Sequence, residues 1–508
     1  MIKWEMSQQL SRSSDRRPRN AKWARTCAIA ILGFSVAYAL MLPSGGISGM
    51  SFDSFRYLAG ADSILASGTY LDISGTPQST WPPGTSLLYA AVARLSGKPP
   101  EELTQFLNLG ALLLIGASLW LIIEITIARW SIAIITFAAI FLNTAILSML
   151  NKLWSDPLAL AMSSAAIASC IVASRDGKNW FRWICIGSAF LSIALCLRYA
   201  MLPAVPILAA VAFWLSKTTA SHRAAVLLPF LSPLLTLILF YFLGSAYLHV
   251  FSAHSVEMVR SFDFWQDQPA FVQMADQIFP VTLFSIWLSI GIVLGVIAVP
   301  AGAAFVTEVP EKRSALLICV GYVLLSCVFL VIAPAALHGA TELRYLLQIY
   351  PFLLIGAAIA ADVLLNSQRL DSRILGFIIV CLLTTVAVRS ARAAALGILP
   401  HESSEATSCV SRTVLLNDLK RIPTTQNFSG ALTNIQGLAW YAMRIPTVRL
   451  TQSALAEALS GTTIIFVRPE YTCSEVLESN DVSEIALSHA TDISIVSGNG
   501  VLLIARKE

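Results

Sequence analysis

The sequence predicts an all-α polytopic membrane domain of about 11 transmembrane helices, with surface helices in its first exported loop, followed by a small C-terminal α/β domain. Three observations carry this. Of 508 residues, 56% are hydrophobic and 13% charged, where soluble domains carry about 25% charge, and the mean hydropathy is +0.71. Apolar runs of membrane length then recur between residues 26 and 388. Beyond residue 392 the runs become short and strand-like, alternating with helix-like stretches.

The chain divides into a tail (1–23), a membrane domain (24–391) whose first loop spans 44–97, and a soluble segment (392–508). In the tail and the start of the first helix, Lys3, Arg12, Arg16, Arg17, Arg19, Lys22 and Arg25 oppose only Glu5 and Asp15. By the positive-inside rule this end stays cytoplasmic. The basic tail is thereby explained by topology, and nucleic-acid binding has no support. The apolar run 26–42 exceeds a signal-peptide core of about 7–15 residues, and no A-x-A cleavage site follows, so it reads as an uncleaved first helix.

The first loop is the longest polar break in the hydrophobic first half. Tyr57, Leu58, Ala61, Ile64 and Leu65 recur at helical spacing, and Gly68 stands where a C-cap would. Gly75, Pro77 and Trp81-Pro82-Pro83-Gly84 then force a turn back toward the membrane. Residues 85–95 are apolar but about half the roughly 20 residues a crossing needs, which predicts a second surface helix.

The following apolar segments are 103–128, 132–150, 158–174, 183–197, 200–215, 224–247, 279–306, 315–336, 346–365 and 374–388. Threaded from a cytoplasmic N-terminus, they put Arg129, the Arg175/Lys178/Arg182 and Lys217/His222/Arg223 clusters, Lys312/Arg313 and Arg369/Arg373 on the cytoplasmic side. Counting 85–95 as a crossing would invert that pattern. The C-terminal segment is then exported, with strands expected at 430–435, 462–467, 493–496 and 501–505 and helices at 410–421 and 453–460. Seven of nine cysteines lie in apolar runs, and no CxxC or Cys/His metal spacing occurs. Cys409 and Cys473, in the exported segment, are free to form one disulfide.

Ionisable groups near the exported ends of membrane helices are costly to bury and invite a functional hypothesis. Asp53, with Arg56 and Asp62 on the same short helix, suits an N-cap or a catalytic base. In Trp154-Ser155-Asp156-Pro157, Ser155 or Asp156 suits a cap and Pro157 the first helical position, while the acid also suits a site. His338-Gly-Ala-Thr-Glu342-Leu-Arg344-Tyr345 precedes a helix, where a guanidinium and free amides favour a phosphate, or where Arg and Tyr anchor the interface. Arg198 reads as a snorkelling arginine. The loop 249–278 mixes charge and aromatics, as a sugar or headgroup site or an ordinary solvated loop would.

Asp53-Ser-x-x-Tyr57, Gly68-x-Tyr70, Trp81-Pro-Pro-Gly84, Ser155-Asp156-Pro157 and Arg344-Tyr345-Leu-Leu-x-x-Tyr350-Pro351, in this order, resemble the GT-C superfamily of integral-membrane glycosyltransferases. The likeness is to bacterial members related to protein O-mannosyltransferases and lipid A aminoarabinose transferases. It implies inverting transfer from a polyprenyl-phosphate sugar to a lipid, glycan or protein acceptor, at the exported face of the bacterial inner membrane. It implies Asp53 as general base, Asp156 as the second catalytic acid, and Arg344 with Tyr345 at the donor phosphate. Arg56, Tyr57, Trp81, Glu342 and His338 are the implied substrate contacts. Many members carry two adjacent acids in the first loop; here Ser54 follows Asp53, so no metal or other cofactor is expected to be required and a divalent ion is unsupported. The alternatives are a polytopic transporter or lipid flippase, which usually shows repeats and ionisable groups within spans, and a non-catalytic assembly subunit.

Overall fold

The computed structural model describes residues 17–41, 50, 52–78, 81–150, 152–176, 178–216, 226–244, 286–336, 347–396, 419–420, 430–433, 436–449, 462–467, 492–495 and 502–506. Its helices, in order, are α1 (Arg17–Met41), α2 (Phe52–Ser67), α3 (Gly84–Ser96), α4 (Pro100–Thr126), α5 (Trp130–Phe141), α6 (Thr144–Met149), α7 (Asp156–Arg175), α8 (Trp180–Leu197) and α9 (Ala204–Ser216). They continue with α10 (Leu228–Phe242), α11 (Ile286–Val306), α12 (Pro310–Ala336), α13 (Tyr350–Leu365), α14 (Leu370–Ala395) and α15 (Gln436–Met443).

Every apolar segment selected from the sequence contains a helix. Among the described residues, seven helical segments are long and apolar enough to cross a membrane, and α5, α10, α13 and the 295–306 part of α11 are shorter apolar helices. The chain is a multi-pass membrane protein. Helix α7 is the axis of the bundle: it packs along α8 and α4 and is buried over most of its length. Its run of Ser163, Ser164, Ala165, Ala166, Ala168 and Ser169 lets neighbouring backbones approach closely, as small residues do between membrane helices.

Three local features differ from the hydropathy reading. The run 132–150 is not one helix but α5 and α6, broken at Asn143. Its Oδ1 accepts from the amides of Ala145 and Ile146 at 2.9 and 3.3 Å, and its Nδ2 donates to the Tyr350 hydroxyl at 3.1 Å. An amide side chain that caps a new helix competes with continuation of the old one. Second, α2 begins at Phe52, so Asp53 lies inside its first turn rather than at the cap. Third, Ser155 occupies the N-cap position of α7 without making a side-chain cap bond, because its hydroxyl is used elsewhere.

Helix α2 closes as expected at Gly68, whose φ of 72° is left-handed and whose amide reaches the Ile64 carbonyl at 3.0 Å. The 16 residues of α2 and 13 of α3 fall short of a crossing. After the bundle come strands β1 (Gly430–Thr433), β2 (Thr447–Arg449), β3 (Thr462–Val467), β4 (Asp492–Ile495) and β5 (Leu502–Arg506), in sheet order β2-β1-β3-β5-β4. The β1 pairings with β2 and β3 are parallel, and those of β5 with β3 and β4 antiparallel. A three-residue strand, β2, and the short α15 carried no periodic signal. The helices expected within 410–421 and 453–460, and Cys409 and Cys473, lie outside the described residues, apart from a helical pair at 419–420.

Candidate active site

Two hydrophobic clusters organise the molecule: one fills the helix bundle, and a smaller one joins α2 and α3 to Leu153, Leu419, Ala431 and the apolar face of α15. Polar contacts fasten the first loop over the start of α7. Ser54 Oγ donates to the Leu153 carbonyl at 2.9 Å, and the Tyr57 and Ser155 hydroxyls bond at 2.8 Å. Ser86 Oγ donates to the Tyr57 carbonyl at 2.9 Å, and Thr85 Oγ1 to the Leu197 carbonyl at 3.3 Å. The Tyr70 hydroxyl spans the Trp81 and Pro82 carbonyls at 3.1 and 3.3 Å. The Trp-Pro-Pro-Gly turn is thus held from inside. Its glycine is required by space, since a Cβ on Gly84 would sit 2.4 Å from the Cys196 carbonyl oxygen.

Below this loop lies a buried charged network. Asp156 is fully buried, and Arg198 and Gln348 are 4% and 2% exposed. Arg198 Nη1 donates to Asp156 Oδ2 at 2.8 Å and to Ser155 Oγ at 2.9 Å. Gln348 Nε2 donates to Asp156 Oδ1 at 2.9 Å. Both oxygens of Asp156 are therefore engaged, one by α8's C-terminal end and one by the turn before α13. The snorkelling reading of Arg198 is corrected: an acid fixed at the head of α7 draws the guanidinium inward, where the pair compensates a charge that neither could bury alone.

Asp53 is 5% exposed on the first turn of α2. The Tyr57 hydroxyl is pushed well up by burial; Arg198 pulls it back, and Asp53 and Asp156 add to the rise. It stays protonated, and the geometry gathers the site: Asp53 lies about one turn before Tyr57 on α2, and the Ser155 hydroxyl that meets Tyr57 also meets Arg198, which holds Asp156. Trp81 sets its ring 6.2 Å from that of Tyr57. Arg56 is half-buried and acts electrostatically on Tyr70. His338, Glu342, Arg344 and Tyr345 lie outside the described residues, as does the loop 249–278.

The residues missed from sequence are Arg198 in its true role and Gln348. A lone glutamine in the apolar run 346–365 was the available signal, since a polar group inside a membrane segment needs a partner. Among the described residues no three His, Cys, Asp or Glu cluster as metal ligands would. A cavity of about 610 Å³ lined by Ser174, Trp214, Arg313 and Leu317 lies at the opposite end of the bundle. Ser174 is about 27 Å along α7 from Asp156 at 1.5 Å per residue.

The polytopic helix bundle with its first loop packed over one end is an architecture seen in solved structures: the chain has the fold of the GT-C glycosyltransferases. ArnT from Cupriavidus metallidurans bound to undecaprenyl phosphate matches with a TM-score of 0.59 at 12% identity, over 95% of this chain and 98% of that one. The oligosaccharyltransferase AglB from Archaeoglobus fulgidus, in complex with an inhibitory peptide and a dolichol-phosphate, matches with a TM-score of 0.51 at 11% identity, over 96% of this chain and 74% of that one. No family model matches the chain, and no curated protein matches it in sequence.

Proposed function

We propose that this chain is a membrane glycosyltransferase that moves a sugar from a polyprenyl-phosphate donor to an acceptor hydroxyl with inversion, Asp53 acting as general base. The observation that carries the reading is the convergence of Asp53, Tyr57, Ser155, Asp156 and Arg198, from three separate stretches of chain, at one end of a GT-C-type bundle. In the reaction, the Asp53 carboxylate takes the acceptor's hydroxyl proton as the acceptor oxygen bonds to the anomeric carbon. The bond from that carbon to the phosphate oxygen breaks, and its electron pair leaves with the lipid phosphate. Arg344 and Tyr345 are the proposed phosphate partners, with Arg56, Tyr57, Trp81, Glu342 and His338 toward the sugar and acceptor.

Asp156 is proposed as the second acid of the site. Because Arg198 and Gln348 engage both its oxygens, its service is electrostatic and positional, while proton removal falls to Asp53. The reading invokes no metal: the residue after Asp53 is Ser54, whose hydroxyl is committed to the Leu153 carbonyl. The titratable groups cluster at helix ends, which favours this reading over a transporter or flippase. The proposed setting is the bacterial inner membrane with the C-terminal domain exported.

The test uses purified chain in proteoliposomes and a panel of undecaprenyl-phosphate hexoses and pentoses, following release of undecaprenyl phosphate. Asp53→Asn is expected to lower turnover by about 10²–10⁴-fold with the donor KM little changed, the range for a general base. Wild-type turnover in that variant would overturn the assignment. Mass analysis of envelope glycans in a deletion strain then identifies the acceptor class.

A further inference from the structure

We propose that the C-terminal α/β domain is a clamp on the first loop and that Arg444 is its pin, a positioning residue that holds the Asp53-bearing helix α2 in register with the bundle. The inference rests on the reading of Asp53 given above and extends it to a domain whose role no motif suggests.

Arg444 follows α15 directly and has a φ of 54°, the one non-glycine left-handed residue among the described positions. A strained backbone persists only where its surroundings fix it. Here the amide of Arg444 closes on the Trp440 carbonyl at 2.7 Å, and the turn lays the guanidinium 4.7 Å from the ring centres of both Trp440 and Tyr441. The planar group, held by two aromatic faces, reaches two acids on two different elements. Its Nη1 bonds Asp62 on α2 at 2.7 Å, and its Nη2 lies 3.6 Å from Glu101 in the first turn of α4. The Tyr441 hydroxyl donates to the same Glu101 oxygen at 3.1 Å. One side chain of the C-terminal domain therefore bridges the loop helix to the first membrane helix after it.

Two further contacts act in the same direction. Helix α15 lies so close to α2 that a Cβ on Gly437 would be 2.3 Å from the Phe55 ring, two residues from Asp53. The amide of Thr447 donates to the Ile73 carbonyl at 2.8 Å, fastening β2 to the segment between α2 and α3. The first loop is thus gripped at Phe55, Asp62 and Ile73. The Arg444 ion pairs are partly exposed, the side chains of Arg444 and Asp62 each keeping 41% of their surface, so their value lies in geometry more than in stability.

The left-handed φ dictates the variant: Arg444→Gly removes the pin and relieves the backbone together, where Arg444→Ala would remove the pin but keep the strain. In the full-length protein in nanodiscs, hydrogen–deuterium exchange of residues 52–67 is expected to rise at least five-fold in Arg444→Gly with the melting temperature shifted by less than 3 °C. Turnover on the undecaprenyl-phosphate sugar panel is expected to fall about ten-fold with the donor KM unchanged. Arg444→Lys keeps the charge but not the planar stack and recovers only part of the rate. Gly437→Ala, which pushes α15 off Phe55, should give the same pair of changes through a different contact. Exchange at 52–67 equal to wild type in both variants would overturn the clamp, as would wild-type turnover in both. Exchange is read without substrate, so a wild-type chain inactive on every donor would fail the glycosyltransferase reading while leaving the clamp to be judged on exchange alone.

Discussion

Arg198 provides the sharpest quantitative test, because its two readings differ by several-fold in energy. A snorkelling arginine replaced by leucine costs little, on the scale of about 0.2–1 kcal/mol measured for exposed charges. The structure instead buries Arg198 against a fully buried Asp156 at 2.8 Å and gives the same nitrogen the Ser155 hydroxyl at 2.9 Å. Truncating one member of such a pair leaves an uncompensated charge and costs roughly 3–5 kcal/mol. Arg198→Leu is therefore expected to lose about that much in unfolding of the purified chain in mixed dodecylmaltoside–SDS micelles. Asp156→Asn alone should also destabilise, while the double variant Arg198→Leu/Asp156→Asn should cost less than the sum of the singles by about 1–3 kcal/mol, the coupling expected of residues in contact. A loss below about 1 kcal/mol for Arg198→Leu, additive with Asp156→Asn, would refute the buried network.

Two further outcomes follow from the same contacts. Asn143→Ala removes the cap of α6 and the donor to Tyr350, and should cost about 1–2 kcal/mol in the same micelle assay; Asn143→Ser keeps a capping oxygen and should recover about half. Asp62 titrates above the ordinary carboxylate value, because burial outweighs the attraction of Arg444 and Glu101 adds to the rise. A raised native value means that folded protein binds the proton more readily than unfolded, so the contribution of Asp62 to stability rises as pH falls through that value. Asp62→Asn should then be at least as stable as wild type at pH 7, with wild type gaining on it as pH falls; a gap that moves the other way contradicts the assignment.

Much of the architecture was legible in the sequence for a physical reason: lipid permits only helices with internally satisfied backbones, so each apolar run of sufficient length had to be helical. The Gly68 stop and the helices of the first loop were equally legible, because left-handed glycine, the Pro-Pro turn and helical spacing act locally. Asp53 and Asp156 stood out since an acid at a membrane helix end needs a reason. Local pattern could not reveal that Asn143 divides an apolar run, since a capping amide and a tolerated one look alike until Tyr350 is brought beside it from 207 positions away.

What the sequence by itself determined was therefore the class of chain, the order of its helices and the acids worth suspecting, all set by hydropathy, charge and local backbone preference. Only the tertiary structure decided the partners. Ser155 turns from capping α7 to serving Tyr57 and Arg198, Gln348 finds Asp156, and Arg444 reaches Asp62 and Glu101 from more than 340 positions along the chain. Such pairings depend on which side chains packing brings within about 3 Å, where a buried charge must find its complement, and no spacing along the chain encodes that distance.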